Sequence, residues 1–245
     1  RCARVTGVQT CALPILMFKT FAHGVAHRGL HDDKRPENSK AAFIHAIEIG
    51  LPFETDVHLT IDGKLIINHD NDLARVTGKS GVIEQLSFEQ IKKDYRLQDG
   101  SQLLSLSELL SLNQERVPVV LELKAYEGNE KKLHEAVKPY LDSLQDPSKL
   151  VLISFFPLAL QAFKDDRWNR GLLIGGGEID HLQAIEQYEF LDVAFPLLED
   201  PRFLAYRKNG GKILSWTPRT NEEYHQAIAH SDGVTFERMD YRQIR

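Results

Sequence analysis

The chain has 245 residues, of which 42% are hydrophobic and 27% charged, a composition typical of a soluble globular protein. Its formal net charge of −5 does not provide the basic surface that holds a nucleic-acid backbone, so no nucleic-acid partner is expected. No apolar run approaches the roughly 18–20 residues of a membrane span, so stable membrane insertion is not expected. The length suits one large domain, since a single α/β barrel typically needs about 250 residues.

The first fifteen residues, RCARVTGVQTCALPI, do not fit the rest of the sequence. They show no amphipathic period and too little apolar length for a signal-peptide core, and VTGVQTCALPI resembles a translated sequencing adapter. We therefore expect residues 1–15 to be non-native, with the native chain beginning near Met17. Both cysteines, Cys2 and Cys11, lie in this segment. A cysteine-free acidic domain over residues 16–245, without a leader, predicts a cytoplasmic protein.

From Phe21 onward, short apolar segments alternate with amphipathic stretches, a pattern that predicts a parallel sheet with helical crossovers. The predicted strands are His23–His27, Leu51–Asp56, Val117–Lys124, Leu150–Phe155, Gly171–Gly175, Leu191–Pro196, Lys212–Trp216 and Gly233–Phe236. Eight strands, each followed by a helix, favour a closed TIM (β/α)8 barrel over an open doubly wound sheet. No second domain is indicated.

The predicted helices begin and end at recognisable residues. The first follows Asn38-Ser39, where Asn38 is interpreted as the N-cap, and it ends at Gly50, which suits the position just beyond a helix. The others lie near Ser105–Asn113, Glu130–Leu144, Pro157–Asp166, Ile179–Glu189, Pro201–Lys208 and Asn221–His230.

The segment FETDVHLTIDGKLIINHD, residues 53–70, predicts a β-hairpin rich in polar side chains. Glu54 and Asp56 are two residues apart in a strand, so both carboxylates point to one face. Asp62-Gly63 is a strong two-residue turn signal. With that turn, cross-strand positions sum to 125, which predicts that Asp56 lies directly opposite His69.

One connection, Asn71–Leu104, is too long for an ordinary barrel loop. It follows the hairpin at the end of the second strand, on the side where barrel active sites are built. We interpret it as a small inserted cap that shapes substrate access.

Acidic residues recur at the ends of neighbouring predicted strands. Glu54 and Asp56 end the second strand, and Glu122 ends the third. In a parallel barrel these strand ends share one rim, so the carboxylates are expected to converge. Three carboxylates without a cysteine suit a hard divalent cation, Mg²⁺ or Ca²⁺, better than zinc.

Basic and titratable residues occupy the same predicted rim. Arg28 and Lys124 would favour an anionic substrate, most naturally a phosphate. His27 and His69 offer a general acid and a general base near neutral pH, without indicating which is which. Together with the predicted ion, these residues indicate metal-assisted cleavage of a phosphate ester.

The sequence resembles the glycerophosphodiester phosphodiesterase family. The motifs AHRG, PENS followed by AF, ETDV, TIDG, NHD, ELK and SWT occur in the family's order and spacing, from Phe21 to about Gly233. The resemblance implies a TIM barrel with a small insertion after the HD motif, and release of sn-glycerol 3-phosphate and an alcohol from a small-molecule glycerophosphodiester. It assigns catalysis to His27 and His69, metal binding to Glu54, Asp56 and Glu122, and substrate binding to Arg28, Lys124 and Trp216.

Several interpretations stay open at this point. Trp216 fits core packing as well as substrate contact, and Glu37 fits either a partner of Arg28 or an exposed loop acid. The last strand ends in DGVTFE where the family usually has DG-x-x-TD, and Glu237 is expected to touch none of the predicted catalytic residues. Lysophospholipase-D-like activity and a catalytically inactive phosphodiester-binding barrel are the alternative functions. Head-group preference, the physiological ion and the oligomeric state are not indicated.

Deletion of residues 1–15 should leave folding and activity intact, because no periodic or capping signal ties this segment to the core. Thermal unfolding of full-length and truncated protein checks this expectation. A clearly lower unfolding midpoint after truncation would contradict it.

Overall fold

The computed structural model describes residues 18–177 and 185–243, which form a closed β-barrel surrounded by helices. Its strands are β1 (Val25–Ala26), β2 (Phe53–Leu59), β3 (Leu65–Ile67), β4 (Val119–Leu123), β5 (Leu150–Ser154), β6 (Asn169–Ile174), β7 (Phe190–Ala194), β8 (Ile213–Trp216) and β9 (Gly233–Phe236). All except β3 are parallel, and β1 closes the barrel by pairing with both β2 and β9. The predicted TIM barrel is confirmed.

The helices pack around this barrel and connect its strands. They are α1 (Lys40–Glu48), α2 (Ala74–Thr77), α3 (Phe88–Asp94), α4 (Leu106–Asn113), α5 (Glu130–Asp142), α6 (Pro157–Gln161), α7 (Pro201–Lys208) and α8 (Asn221–His230). The helix predicted near Ile179–Glu189 lies largely outside the described residues, which resume at a 3-10 turn, Ile185–Gln187. Among the described residues, no helix is both long and apolar enough to cross a bilayer.

The cap of α1 differs from the sequence-based interpretation. Ser39, not Asn38, is the N-cap, and its hydroxyl oxygen accepts a hydrogen bond from the Ala42 N–H at 3.1 Å. Asn38 adopts a left-handed backbone conformation with φ 54°. Its side chain is therefore free to turn toward the barrel.

The lumen of the barrel is apolar at one end and polar at the other. Side chains two residues apart in a strand share a face, so Val120 and Glu122 both point inward, as do Phe190 and Asp192. Apolar lumen residues pack with Phe18 and Phe21, which immediately precede β1 and lie edge to face at 5.7 Å. This packing fills the amino end of the lumen and leaves the polar side chains at the carboxyl end of the strands.

The register of the β2–β3 hairpin differs by one residue from the predicted register. Val57 pairs with Ile67 and Leu59 pairs with Leu65, so cross-strand positions sum to 124. The loop has three residues and ends at Gly63, whose φ of 74° lies in the left-handed region. Asp56 therefore lies opposite Asn68, whose N–H donates to the Asp56 carbonyl oxygen at 3.2 Å. The predicted pairing of Asp56 with His69 across the hairpin is wrong, because a one-residue slip exchanges the two faces of a strand.

Residues 71–104 form a compact insertion with an apolar cluster of its own. The cluster joins Ile66 of β3 to Leu73, Val76, Ile83, Ile91, Tyr95, Leu97 and Leu103. The insertion contains α2, a 3-10 turn (Ile83–Gln85) and α3, and α3 begins with a capping box at Ser87. A regular structure with its own apolar core can hold side chains in fixed positions beside the barrel mouth.

Candidate active site

The candidate active site lies at the carboxyl end of the barrel, where the lumen is polar. β2 carries Glu54 and Asp56, and β4 carries Glu122. Asp56 and Glu122 are register partners of these neighbouring parallel strands. Their side chains are therefore adjacent although they are far apart in sequence.

The three carboxylates form a buried cluster. One ligand oxygen from each of Glu54, Asp56 and Glu122 lies within 4.8 Å of the other two, and the residues are 3%, 0% and 7% exposed. Burial, together with repulsion by the neighbouring carboxylates, raises the pKa of Glu54 well above its ordinary value. Burial likewise raises the pKa of Glu122 to about 7. Three buried oxygen ligands, of which Glu54 and Glu122 resist ionisation without a compensating cation, fit a hard divalent cation.

Asp56 is held ionised by its cationic neighbours. Burial favours the neutral acid, but Lys124, His69 and Arg28 together lower the pKa of Asp56 well below its ordinary value. The Lys124 Nζ lies 3.0 Å from Asp56 Oδ1 and 2.7 Å from Glu122 Oε1. Lys124 is thus a buried cation shared by two carboxylates.

Asn38, which sequence reasoning assigned to a helix cap, contacts the carboxylate cluster instead. Its Nδ2 donates to Asp56 Oδ2 at 3.0 Å, and its Oδ1 accepts from the Thr55 hydroxyl at 2.8 Å. These two bonds fix the orientation of the amide, which in turn fixes the Asp56 carboxylate.

Arg28 contacts the cluster through both its backbone and its side chain. With φ at 53°, its backbone N–H donates to Glu54 Oε2 at 3.0 Å. Its guanidinium Nη1 donates to Glu37 Oε1 at 2.8 Å, while Nε lies 3.9 Å from Asp56 Oδ2. Of the two interpretations of Glu37, the structure therefore supports the partner that orients Arg28.

His27 is paired with the last strand of the barrel. Its Nδ1 lies 2.8 Å from Glu237 Oε2, whereas its Nε2 lies 3.8 Å from Glu54 Oε2. Because a carboxylate only accepts, Nδ1–H donates to Glu237 and Nε2 faces the site. Burial lowers the pKa of His27, although the hydrogen bond that His27 donates to Glu237 opposes this shift. The expectation that Glu237 touches no predicted catalytic residue is wrong, because barrel closure brings β9 beside β1.

His69 reaches the site from the loop after β3 rather than through cross-strand pairing. Its Nδ1 lies 2.6 Å from Asp70 Oδ1. Arg75, on α2 of the insertion, donates from Nε to Asp70 Oδ2 at 2.5 Å and from its terminal nitrogens to Glu37 at 2.7 and 2.8 Å. A continuous series of ion pairs therefore connects the His69 loop, the insertion and the partner of Arg28.

A second contact from the insertion supports the same loop. His58 is 4% exposed, and its Nδ1 lies 2.6 Å from Glu84 Oε1. Its Nε2 lies 3.0 Å from the backbone oxygen of His69. Glu84 of the insertion thus holds His58, and His58 holds the backbone at His69.

Two cavities meet at the carboxylate cluster. The smaller cavity, of about 140 Å³, is lined by His27, His69 and Trp216 among others. A more open groove of about 700 Å³ runs between the insertion and the loop after β4. Glu122 and Phe155 line both cavities. A substrate bound at the cluster can therefore extend in two directions.

Trp216 packs in the wall of the smaller cavity. Its Nε1 donates to the backbone oxygen of Asp192 at 3.1 Å, and its ring meets Phe155 edge to face at 5.6 Å. Trp216 is only partly buried. The indole is anchored by packing and also faces the cavity. The structure is therefore compatible with both interpretations of Trp216, core packing and substrate contact.

Sequence reasoning missed the residues that contact the predicted site residues and hold them in position. Asn38, His58 and Glu84 carry no local signal for their roles, because their partners lie on other strands or in the insertion. Glu237 had a signal, its place at the end of the last predicted strand, on the same rim as His27.

Comparison with known proteins places this arrangement among phosphodiesterases. The Glycerophosphoryl diester phosphodiesterase family matches residues 27–241. A glycerophosphodiester phosphodiesterase of Caldanaerobacter subterraneus is 31% identical over 232 residues, covering 86% of this chain and 91% of the relative. An Oleispira antarctica phosphodiesterase, solved in complex with the product sn-glycerol 3-phosphate, has a similar fold, with a TM-score of 0.77, 23% identity, and coverage of 90% of this chain and 94% of that one. A Thermotoga maritima glycerophosphodiester phosphodiesterase gives a TM-score of 0.69 at 26% identity, with 86% and 92% coverage.

The His27–Glu237 pair should make stability depend on pH. The hydrogen bond from His27 lowers the pKa of Glu237 from 4.5 to about 2. A lowered folded-state pKa gives stabilisation that is complete above the ordinary pKa and is lost as the pH falls through the folded-state value. The unfolding midpoint of the wild type should therefore fall more steeply between about pH 5 and pH 3 than that of Glu237→Gln.

Thermal unfolding across this pH range makes the measurement. Glu48→Gln, at an exposed position of α1, is the matched control and should follow the wild type. Equal slopes for the wild type and Glu237→Gln would contradict the prediction.

Proposed function

Because this chain belongs to the glycerophosphoryl diester phosphodiesterase family, we propose that it hydrolyses glycerophosphodiesters to sn-glycerol 3-phosphate and an alcohol. One observation carries the proposal beyond family membership. Two buried carboxylates, Arg28 and two histidines line a single cavity at the carboxyl end of the barrel, and Lys124 is bound to the same carboxylate cluster. This combination suits attack on an anionic phosphorus centre with proton transfer on both sides.

Arg28 and Lys124 bind the phosphate in this proposal. Both side chains are mostly buried and are held by carboxylates, Arg28 by Glu37 and Lys124 by Asp56 and Glu122. Fixed cations in a site of low dielectric stabilise charge that develops on the phosphoryl oxygens, and they need little reorganisation during the reaction. Glu37 and Asn38 act by orienting these groups.

His27 and His69 carry out the proton transfers. Each imidazole donates Nδ1–H to a carboxylate, Glu237 and Asp70 respectively, so each presents Nε2 to the cavity. An imidazole that presents a bare Nε2 is a base, and one that presents Nε2–H is an acid. One histidine takes the proton from the attacking glycerol 2-hydroxyl or water, and the other protonates the leaving alkoxide.

Glu54, Asp56 and Glu122 would hold a divalent cation, Mg²⁺ or Ca²⁺ by the chemistry of their oxygen ligands. When bound, such an ion neutralises charge on the phosphoryl oxygens. The raised pKa values of Glu54 and Glu122 support this assignment, because a cation relieves the repulsion within the cluster.

Lysophospholipase-D-like hydrolysis is the second candidate. The groove beside the cluster has a volume of about 700 Å³, and it is lined by the aromatic residues Tyr126 and Phe155, which are 50% and 36% exposed. An acyl chain extending from the substrate would have apolar contacts there. A non-catalytic binding role is not favoured, because both histidines, the cations and the carboxylates are present together.

Assay of the purified protein with glycerophosphocholine and with lysophosphatidylcholine distinguishes these functions. Faster turnover of glycerophosphocholine supports the proposal, whereas preference for the lysolipid supports the second candidate. Hydrolysis of neither compound would favour the binding role.

Replacement of any one of the three carboxylates should weaken ion binding. Mg²⁺ or Ca²⁺ should raise the unfolding midpoint of the wild type, and Glu54→Gln, Asp56→Asn and Glu122→Gln should each reduce this rise because a charged ligand is lost. Chelator should also remove activity from the wild type. Glu48→Gln, at an exposed position of α1, is the control. Full activity in chelator, or an undiminished ion effect in all three cluster variants, would refute the metal assignment.

His27→Ala and His69→Ala should each lower kcat by roughly 10²–10⁴, the usual contribution of a positioned general acid or base. His225→Ala, at an exposed position of α8, is the control. A substrate with a much better leaving group should restore more of the rate in the variant that lacks the acid. Equal recovery in both variants would argue against separate acid and base roles.

A further inference from the structure

On β7 and β9, the wall of the smaller cavity contains two polar side-chain groups that have no hydrogen-bond partner among the described residues. They are Asp192 Oδ1 and Thr235 Oγ1, and both residues are 1% exposed. Buried polar atoms in folded proteins almost always form a hydrogen bond. Both residues line the cavity that also contains His27 and His69, so a ligand bound there can supply the missing partners.

The carboxyl of Asp192 does not belong to the cation site. Within the described part of the chain, the group of acidic side chains close enough to share an ion comprises Glu54, Asp56 and Glu122. Asp192 lies on β7, across the lumen from β2, and reaches the cavity because it is two residues beyond the lumen residue Phe190.

The two groups lie on either side of Trp216. Thr235 is the register partner of Trp216 on β9, and the backbone oxygen of Asp192 on β7 accepts the hydrogen bond from the indole. The cavity thus offers an aromatic face between two polar groups, with Leu173 adding an apolar surface. A small carbon skeleton that carries hydroxyl groups matches this lining.

The size of the cavity restricts its occupant. Its volume is about 140 Å³, compared with about 700 Å³ for the open groove. A three-carbon polyol has this scale, whereas the variable alcohol of a phosphodiester requires the larger open groove on the other side of Glu122 and Phe155.

We propose that Asp192 and Thr235 bind the glycerol hydroxyl groups of the substrate and thereby make the site selective for glycerol diesters. A hydroxyl donates one hydrogen bond and accepts others. The glycerol can therefore donate to the Asp192 carboxyl and accept from the Thr235 hydroxyl, while its carbon atoms pack on Trp216. This inference rests on the proposed function and adds the residues that recognise one half of the substrate.

A pair of ligands isolates the hydroxyl contacts from the phosphate contacts. sn-Glycerol 3-phosphate and n-propyl phosphate have the same three carbons and the same phosphate, but the second lacks both hydroxyls. Their competitive inhibition constants, or their affinities by calorimetry, can be measured in the presence of Mg²⁺ without relying on a particular nucleophile. We expect the wild type to bind sn-glycerol 3-phosphate at least tenfold more tightly, since each hydroxyl gains a buried partner.

Thr235→Val replaces the hydroxyl by a methyl group at nearly constant volume, and Thr235→Ser keeps the hydroxyl. Asp192→Leu removes the carboxyl from the other wall. We expect Thr235→Val and Asp192→Leu each to lower the preference for sn-glycerol 3-phosphate roughly five- to tenfold. Binding of n-propyl phosphate should stay within about twofold, and Thr235→Ser should retain the wild-type preference.

The outcomes separate this inference from the proposed function. If the wild type hydrolyses glycerophosphocholine but binds the two ligands equally, the role of Asp192 and Thr235 is refuted. The role is also refuted if Thr235→Val keeps the full preference for sn-glycerol 3-phosphate over n-propyl phosphate while its unfolding midpoint shows that it is folded. If the wild type does not hydrolyse glycerophosphocholine but its ligand preference depends on Thr235, recognition stands and the proposed reaction fails.

Discussion

The repulsion among three buried carboxylates is the constraint on which the rest of this site depends. Glu54, Asp56 and Glu122 lie within ligand distance of one another inside the lumen, where water screens their charges poorly. Lys124 neutralises part of this negative charge through a direct ion pair, and the Arg28 guanidinium lies at the edge of the carboxylate cluster. A site of this kind is stable only with cations held in fixed positions, which is also the requirement for binding a phosphate.

The positions of those cations depend on the insertion as much as on the barrel. Arg75 of the insertion binds both Asp70, the partner of His69, and Glu37, the partner of Arg28. Glu84 supports the His69 backbone through His58. The insertion therefore does more than cover the barrel mouth, because it connects Glu37, the partner of Arg28, to the loop of a proposed catalytic histidine. Its predicted control of substrate access stays a prediction.

The two cavities differ in chemistry as well as in size. The smaller cavity is lined by the two proposed catalytic histidines and by the polar groups without partners, whereas the groove is wide and partly aromatic. A diester bound across Glu122 and Phe155 would place one substituent in each cavity. Such a division allows strict recognition of the common glycerol and tolerance of different alcohols, because only buried polar groups penalise a missing hydroxyl strongly.

The sequence by itself determined the barrel, the boundaries of most strands and helices, the family and the convergence of Glu54 with Glu122, because these follow from local periodicity, cap residues and motif spacing. The hairpin register was wrong by one residue, since a glycine in the left-handed region ends a two- or a three-residue loop equally well. The pairing of His27 with Glu237 was decided only by tertiary structure. His27 directly follows the first strand and Glu237 directly follows the last one, and only closure of the barrel brings them together.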